Sequence, residues 1–168
     1  HEARALARAA ARQAVASAAL ADQATRGRTG VFIGSTMGES AGYEAAVEGA
    51  PFAIAEFAGS VFAGEIAADL HLDGPQRTYG TACAAGNYAI GAAANAVSRG
   101  EIDVALAGGV EPFSRIAMLG FARMRAMTPA HCRPFDTNRQ GMQLGEGAAV
   151  LVLERKADAA ARGAVPLA

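Results

Sequence analysis

Cys83 lies among small residues in the stretch GTACAAGNYAIGAA, which covers residues 80–93. The residues before it are typical of the end of a strand, and those after it are typical of a tightly packed helix. At a helix N-terminus the partial positive charge stabilises a thiolate, and the free N–H groups of the first turn can hold an oxyanion. Acyl transfer needs both features, whereas a small buried cysteine needs neither. From the residues alone, both interpretations remain open.

The other residues that could carry chemistry are scattered. Cys132 and the histidines His1, His71 and His131 lack the close, repeated spacing of a zinc site. A net charge of −1, the absence of tryptophan and an aromatic content of 6% argue against binding to nucleic acid. No apolar run has membrane-spanning length, and no signal peptide is recognisable. We therefore predict no metal, no nucleic-acid partner, no membrane association and a cytoplasmic location.

Short apolar segments alternate with helical patterns along the chain. Strands are predicted at 31–33, 76–82, 104–107 and 148–153, with another beginning at Val165. Helices are predicted at 1–24, 52–70, 84–98, 114–127 and 155–162, and a glycine-punctuated loop at 35–42. The helix at 84–98 is apolar or tiny on all sides, which predicts burial all round. The alternation predicts an α/β fold whose mostly parallel sheet is covered by helices on both faces.

Four motifs in order along the chain resemble one family. GPQRTYGTACAAG (74–86) is similar to the active-site segment of the β-ketoacyl-acyl carrier protein synthases. IGAAANAVSRGEIDVALAGGVE (90–111) resembles the buried helix and next strand of that family, and RPFDTNRQGMQLGEGAAVLVLE (133–154) resembles its following loop and hairpin. KADAAARGA (156–164) resembles the helix after that. The elongating, single-function branch fits best, because the DTACSSS-type segment of modular polyketide synthases is absent. The resemblance implies a thiolase-like fold.

The resemblance also implies a reaction and its partners. Cys83 would take an acyl chain from acyl carrier protein or coenzyme A as a thioester, with its own backbone N–H as one oxyanion donor. Malonyl-acyl carrier protein would then lose carbon dioxide and condense with the acyl-enzyme to give a 3-ketoacyl product. No metal or organic cofactor is implied, since the phosphopantetheine arm arrives with the carrier protein. We expect a homodimer or a ketosynthase heterodimer in fatty-acid or type II polyketide biosynthesis.

Thr81, Met142 and Glu146 are predicted near the site, as acyl-pocket or structural residues. Relatives often have an aromatic residue where Met142 stands, so this methionine could reshape the pocket wall or fill a gap in the core. Glu146 could act as a general acid or base, although a structural role is the preferred interpretation. Glu111 is predicted to hydrogen-bond a loop. The basic run over 123–139 fits either an acidic carrier protein or a solvated loop.

The resemblance covers only part of such a synthase. We interpret residues 1–168 as a partial β-ketoacyl synthase N-terminal domain, without the first strand and the whole C-terminal half. That half carries the family's two histidines, its lysine and a GFGG-type segment, so we expect these residues alone to be inactive. The alternatives are a non-catalytic partner like the chain-length factors, which generally lack this cysteine, or an inactive fragment that serves as an interaction module. A thiolase-fold decarboxylase or cyclase also remains possible.

Overall fold

The computed structural model describes residues 2–20, 28–51 and 61–167. Their elements, in chain order, are α1 (Glu2–Ser17), β1 (Thr29–Gly34), α2 (Ser40–Val47), α3 (Val61–Leu70), β2 (Gln76–Tyr79), α4 (Ala85–Ser98), β3 (Val104–Glu111), α5 (Arg115–Arg123), β4 (Gly147–Glu154) and α6 (Lys156–Ala161). One turn of 3₁₀ helix, Ala82–Ala84, leads into α4. This order confirms the predicted alternation of strands and helices.

Four strands form one sheet in the order β2-β1-β3-β4. β1 runs parallel to both neighbours, so that Val31 lies opposite Gln76 on one side and Leu106 on the other. β4 runs antiparallel to β3, with Leu151 opposite Ala107. The prediction of a mostly parallel sheet is therefore confirmed. The carboxyl ends of β1, β2 and β3 meet the amino end of β4 at one edge of the sheet.

Each face of the sheet has its own apolar core. Alternate residues of β1 point to opposite faces, because side chains alternate along a strand. On one face, Val31 and Ile33 pack with α1 and α3, which contribute Ala3, Ala7, Ala11, Phe62 and Ile66. On the other face, Phe32 packs with α4 and β3, which contribute Ala89, Ala93, Ala96, Ala105 and Ala107. Helices on both faces were predicted, and this is confirmed.

Helix α4 is buried on one face only, so the prediction of burial all round is wrong for the described residues. Ala89 and Ala93 face the sheet and are fully buried, whereas the Tyr88 side chain on the outer face is 59% exposed. Asn87 and Asn95 are exposed as well. The prediction failed because alanine and glycine occur on both faces of the helix and hide its amphipathic pattern.

Several element boundaries differ from the prediction. α2 begins at Ser40, inside the predicted loop 35–42. β3 continues through Gly108 to Glu111, because Gly108 packs directly on β4; a Cβ there would lie 1.9 Å from the Ala149 carbonyl oxygen. β2 ends at Tyr79 rather than at residue 82.

Other differences concern the ends of helices and of the chain. α1 ends at Ser17, and α5 spans Arg115–Arg123 instead of 114–127. Residues 21–27 and 52–60, where parts of two helices were predicted, lie outside the described residues. The described residues 164–167 form no strand, so the strand predicted from Val165 is wrong there.

Ion pairs connect α1 to α3 and to the loop before α2. The Arg4 guanidinium lies 3.0 Å from the Glu65 carboxylate and 3.5 Å from that of Glu39, whose side chain is 2% exposed. The Glu39 carboxylate also accepts the backbone N–H of Arg4 at 3.0 Å, which satisfies a free donor in the first turn of α1. One turn further along α1, Arg8 pairs with Glu65. Arg12 forms a more exposed pair with Asp69.

A second charged cluster lies at the edge of the sheet away from Cys83, where β3 begins. Asp103 accepts hydrogen bonds from the guanidinium groups of Arg28 and Arg155, at 3.1 and 2.7 Å for its Oδ1 atom. These two arginines lower the pKa of the Asp103 carboxyl from 3.8 to about 2, with the Arg28 hydrogen bond as the larger cause. The cluster joins the residues that flank β1, β3 and β4.

Candidate active site

Cys83 is exposed and lies in the 3₁₀ turn between β2 and α4, at the edge where the strand ends meet. A cleft of about 580 Å³ lies beside it. Small residues from four elements form much of the cleft wall: Gly34, Gly86, Gly109, Gly147, Ala148 and Ala149. Because these residues lack bulk, an extended acyl thioester has room to approach the sulfur. The exposure of Cys83 argues against the alternative of a buried core cysteine.

The position of α4 is set by backbone contact with the sheet. A Cβ built on Gly34, the last residue of β1, would lie 2.2 Å from the Ala85 carbonyl carbon and 2.3 Å from the Gly86 nitrogen. No side chain other than hydrogen fits at Gly34 without a shift of backbone. The close approach brings the first turn of α4, and Cys83 just before it, directly onto the end of the sheet.

The residue before Cys83 has an unusual backbone conformation. Ala82 has a φ of 51°, in the left-handed region that residues with a Cβ rarely adopt. Its carbonyl oxygen accepts a hydrogen bond from the Thr36 hydroxyl at 2.8 Å and another from the Ala85 N–H. This turn between β2 and α4 is what presents Cys83 to the cleft.

The carboxylate of Glu111, at the end of β3, fixes the loop that follows β1. It accepts hydrogen bonds from the Ser35 hydroxyl at 2.7 Å, the Thr36 N–H at 2.8 Å and the Met37 N–H at 3.1 Å. The prediction that Glu111 hydrogen-bonds a loop is confirmed. The loop in turn places the Thr36 hydroxyl against the turn that carries Cys83.

Of the residues predicted at or near the site, only Cys83 lines this cleft. The Glu146 carboxylate accepts the Phe113 N–H at 3.3 Å, which is a structural contact. Met142 is half-buried and exchanges backbone hydrogen bonds with Ala126 and Thr128, both at 2.9 Å. Thr81 is exposed and makes no side-chain cap to the turn that follows it.

Cys132, His71 and His131 lie apart from this wall. Cys132 is exposed, and its N–H donates to Gln143 Oε1 at 3.1 Å. No histidine or lysine of the described residues lines the cleft. Among the same residues, no group of three or more His, Cys, Asp or Glu side chains is arranged to hold a metal ion. Nor does any helix in the described ranges have the length and apolarity to cross a membrane.

Sequence reasoning did not identify Thr36 and Ser35 as site residues. Both lie directly after the apolar strand β1, and both line the cleft with Cys83. A signal was available, because polar residues that follow parallel strands collect at the carboxyl edge of the sheet. The glycines of this loop resemble those of a phosphate-binding loop, but the Gly-Lys-Ser/Thr ending of such a loop is absent.

Curated relatives share this sequence over most of its length. "3-oxoacyl-[acyl-carrier-protein] synthase 2" of Staphylococcus aureus is 37% identical over 171 residues, covering 92% of this chain and 42% of the relative. The protein of the same name from Rhizobium meliloti (strain 1021) is 39% identical over 153 residues, covering 81% of this chain and 36% of the relative. The chain thus spans less than half the length of these relatives.

Solved structures share the fold. A β-ketoacyl synthase from Burkholderia phymatum STM815 matches with a TM-score of 0.84 and 30% identity, over 98% of this chain and 45% of that one. The ishigamide ketosynthase/chain length factor matches with a TM-score of 0.87 and 39% identity, over 98% of this chain and 44% of that one. A type II polyketide synthase acyl-carrier protein in complex with its ketosynthase bound to the hexaketide matches with a TM-score of 0.85 and 25% identity. This match covers 98% of this chain and 46% of that one.

These matches identify the architecture as the thiolase-like α/β fold of the ketosynthases. In this chain, the 3₁₀ turn that contains Cys83 lies at the carboxyl ends of the parallel strands. The family model described as "Beta-ketoacyl synthase, N-terminal domain" matches residues 2–159. The chain belongs to the β-ketoacyl synthase family.

Proposed function

We propose that the protein is a 3-oxoacyl-acyl carrier protein synthase and that Cys83 is its acyl-accepting nucleophile. The observation that carries the proposal is the exposed thiol of Cys83 at the first turn before α4, open to a cleft with small walls. Free N–H groups at the start of a helix favour a thiolate and a developing oxyanion at the same place. The relatives named as 3-oxoacyl synthases support the same assignment.

The proposed reaction has two half-steps. In the first, Cys83 gives up its proton to solvent, its thiolate attacks the carbonyl carbon of an acyl thioester, and the carrier leaves as a thiolate that takes up a proton from solvent. In the second, malonyl-carrier protein loses carbon dioxide, and the resulting carbanion attacks the acyl-enzyme carbonyl. The new carbon–carbon bond forms as the bond between the acyl carbon and the Cys83 sulfur breaks, which yields the 3-ketoacyl product and returns Cys83 as a thiolate. The Cys83 N–H is proposed as one donor to the oxyanion in both half-steps.

The proposal includes the partners and the cellular setting. The substrates arrive on the phosphopantetheine arm of acyl carrier protein, and no resident metal or organic cofactor is required. The full-length protein forms a homodimer or a ketosynthase heterodimer. Two exposed free thiols, Cys83 and Cys132, suit a compartment that keeps thiols reduced, such as the cytoplasm.

Acylation of Cys83 in the full-length protein tests the assignment. The protein is incubated with an acyl-carrier protein or acyl-coenzyme A, and its intact mass is measured. We expect one added acyl group in the parent protein and in Cys132→Ala, which removes the other exposed thiol. We expect none in Cys83→Ala. Malonyl-carrier protein should then remove the acyl group as a 3-ketoacyl thioester.

Two outcomes would overturn the proposal. Acylation that persists in Cys83→Ala would assign the acyl group to another residue. A parent protein that is folded but takes up no acyl group would leave the non-catalytic partner as the better interpretation.

A further inference from the structure

The strained residue Ala82 is held by a contact from a distant part of the chain. A non-glycine residue persists at a φ of 51° only where its surroundings determine the conformation. The Thr36 hydroxyl supplies such a contact, since it donates to the Ala82 carbonyl oxygen at 2.8 Å across 46 residues of sequence. The Ala85 N–H is a second donor to the same oxygen, but it belongs to the turn itself.

The backbone of Thr36 is itself held in place by hydrogen bonds to Glu111. Its backbone N–H donates to both Glu111 carboxylate oxygens, at 2.8 and 3.1 Å. The same carboxylate binds the residues on either side, Ser35 and Met37. These hydrogen bonds hold the backbone of residues 35–37 in place, and the Thr36 hydroxyl can therefore restrain the turn that contains Ala82.

The restrained carbonyl belongs to the same peptide plane as the Cys83 N–H. A peptide group is planar, so a hydrogen bond that orients the Ala82 oxygen also orients the N–H on the other side of the C–N bond. Thr36, Ala82 and Cys83 all line the cleft. Loss of the hydroxyl would release the peptide to leave its present orientation, and the Cys83 N–H would move with it.

We propose that Thr36 is a positioning residue that holds the Ala82–Cys83 peptide so that the Cys83 N–H donates to the reacting thioester oxygen. This inference rests on the proposed function, because it assigns a role in the acylation of Cys83. Thr36 acts through the peptide and need not touch the substrate.

Two substitutions at Thr36 in the full-length protein test the role. Thr36→Val keeps the shape of the side chain and removes the hydroxyl, whereas Thr36→Ser keeps the hydroxyl. We expect Thr36→Val to slow Cys83 acylation about 10- to 100-fold in kcat with little change in KM, since losing one oxyanion donor outright costs about 10²- to 10³-fold. Thr36→Ser should stay within about threefold of the parent. Thr137→Val, in an exposed loop, controls for the replacement itself.

Two readouts separate positioning from a general structural role. The infrared band of a ¹³C-labelled acyl carbonyl on Cys83 should move to higher frequency in Thr36→Val, because a weaker hydrogen bond polarises the carbonyl less. The band should not move in Thr36→Ser. A crystal structure of Thr36→Val should show the Ala82–Cys83 peptide rotated away from its present orientation.

Each remaining outcome counts against the inference. An unchanged acylation rate and carbonyl band in Thr36→Val, or an unrotated peptide, would overturn the role of Thr36 while the proposed function stands. A rise in KM alone would make Thr36 a binding-wall residue instead. Absence of Cys83 acylation in the parent protein would overturn the proposed function and this role together. Should Thr36→Val fail to fold, an unmoved carbonyl band in Thr36→Ala would overturn the role.

Discussion

At the scale of single residues, Gly34 is a position where the structure leaves no room for a Cβ. We expect Gly34→Ala to lower the free energy of unfolding by roughly 3 kcal/mol or more, because its Cβ would meet backbone atoms of Ala85 and Gly86 that cannot rotate away. Chemical unfolding measures the loss. The same variant should also slow alkylation of Cys83 if the first turn of α4 is displaced.

Gly120→Ala is the matched control for this prediction. Gly120 lies in α5, and a Cβ there would have no heavy atom within 4 Å. Alanine in a helix is more favourable than glycine by about 0.5–1 kcal/mol, so we expect a small gain in stability. Equal effects of the two substitutions would contradict the close contact at Gly34.

Asp103 gives a prediction for the dependence of stability on pH. Its pKa in the folded protein, about 2, lies below the ordinary value of 3.8. The ionised carboxylate therefore stabilises the fold above about pH 4, and this contribution is lost as the pH falls through 3.8 towards about 2. We expect Asp103→Asn to lower the urea midpoint at pH 7 and to differ less from the parent at pH 2.

Asp73→Asn provides the comparison, because Asp73 is an exposed aspartate in the turn before Gly74. It should leave the urea midpoint unchanged at both pH values. A constant deficit of Asp103→Asn from pH 7 to pH 2 would show that the carboxylate charge is not what stabilises the cluster.

The residue scale also shows what the sequence could reveal about the site. The small neighbours of Cys83 and its place before a helix are local features that made it a candidate, and the resemblance of the surrounding motif then favoured a nucleophile over a core cysteine. Thr36 and Ser35 were missed because their partners, Ala82 and Glu111, are 46 and 76 residues away in sequence. No local pattern encodes a hydrogen bond between segments that only the sheet brings together.

At the scale of elements, Glu39 links the start of α1 to the loop before α2. We expect Glu39→Ala to lower the free energy of unfolding by about 3 kcal/mol, because it removes the acceptor of the Arg4 N–H and one of two carboxylates beside a nearly buried guanidinium. Thermal or urea unfolding of the parent and the variant measures the effect.

Asp69→Asn is the comparison, because it removes a more exposed ion pair, Arg12–Asp69, between α1 and α3. The Arg12 side chain is 65% exposed, and exposed ion pairs contribute less than about 1 kcal/mol. We predict that Glu39→Ala lowers the free energy of unfolding more than Asp69→Asn does. If Asp69→Asn destabilised the protein as much as Glu39→Ala, burial would not be the cause of the difference.

The prediction of elements succeeded where their apolar residues are large, and it failed where those residues are small. β1 was predicted from Val, Phe and Ile between glycines, and β3 from the apolar run Val-Ala-Leu-Ala before a glycine pair, and both exist. The start of α2 falls in the predicted loop 35–42 and the rest of this helix was not predicted, because SAGYEAAV contains a glycine near its start and lacks a side-chain cap. α4 was placed correctly, but its exposed face could not be recognised among alanines. Periodicity carries information only when the two faces of a helix differ in size or polarity.

At the scale of the whole molecule, we predict that these 168 residues alone do not catalyse condensation. The polar side chains of the cleft that the structure describes are Ser35, Thr36, Cys83 and Glu111. The Glu111 carboxylate is negative and already accepts hydrogen bonds from the loop after β1. None of the four is a cation or an imidazole that could stabilise the negative charge that develops during decarboxylation.

An assay with malonyl- and acyl-carrier protein tests this prediction. The 168-residue polypeptide, verified by intact mass, should give no 3-ketoacyl product, whereas the full-length protein should give it. Turnover by the short polypeptide would show that the described cleft suffices for the chemistry.

The contact between Gly34 and the first turn of α4 consists of main-chain atoms alone. Such a contact keeps its geometry whatever side chains surround it, provided that glycine is retained. The location of the sulfur is thereby uncoupled from the identity of the residues that form the walls around it. Natural divergence or directed evolution can exchange those residues without moving the sulfur. Gly34, rather than the other residues of the cleft wall, limits how far such variation can go.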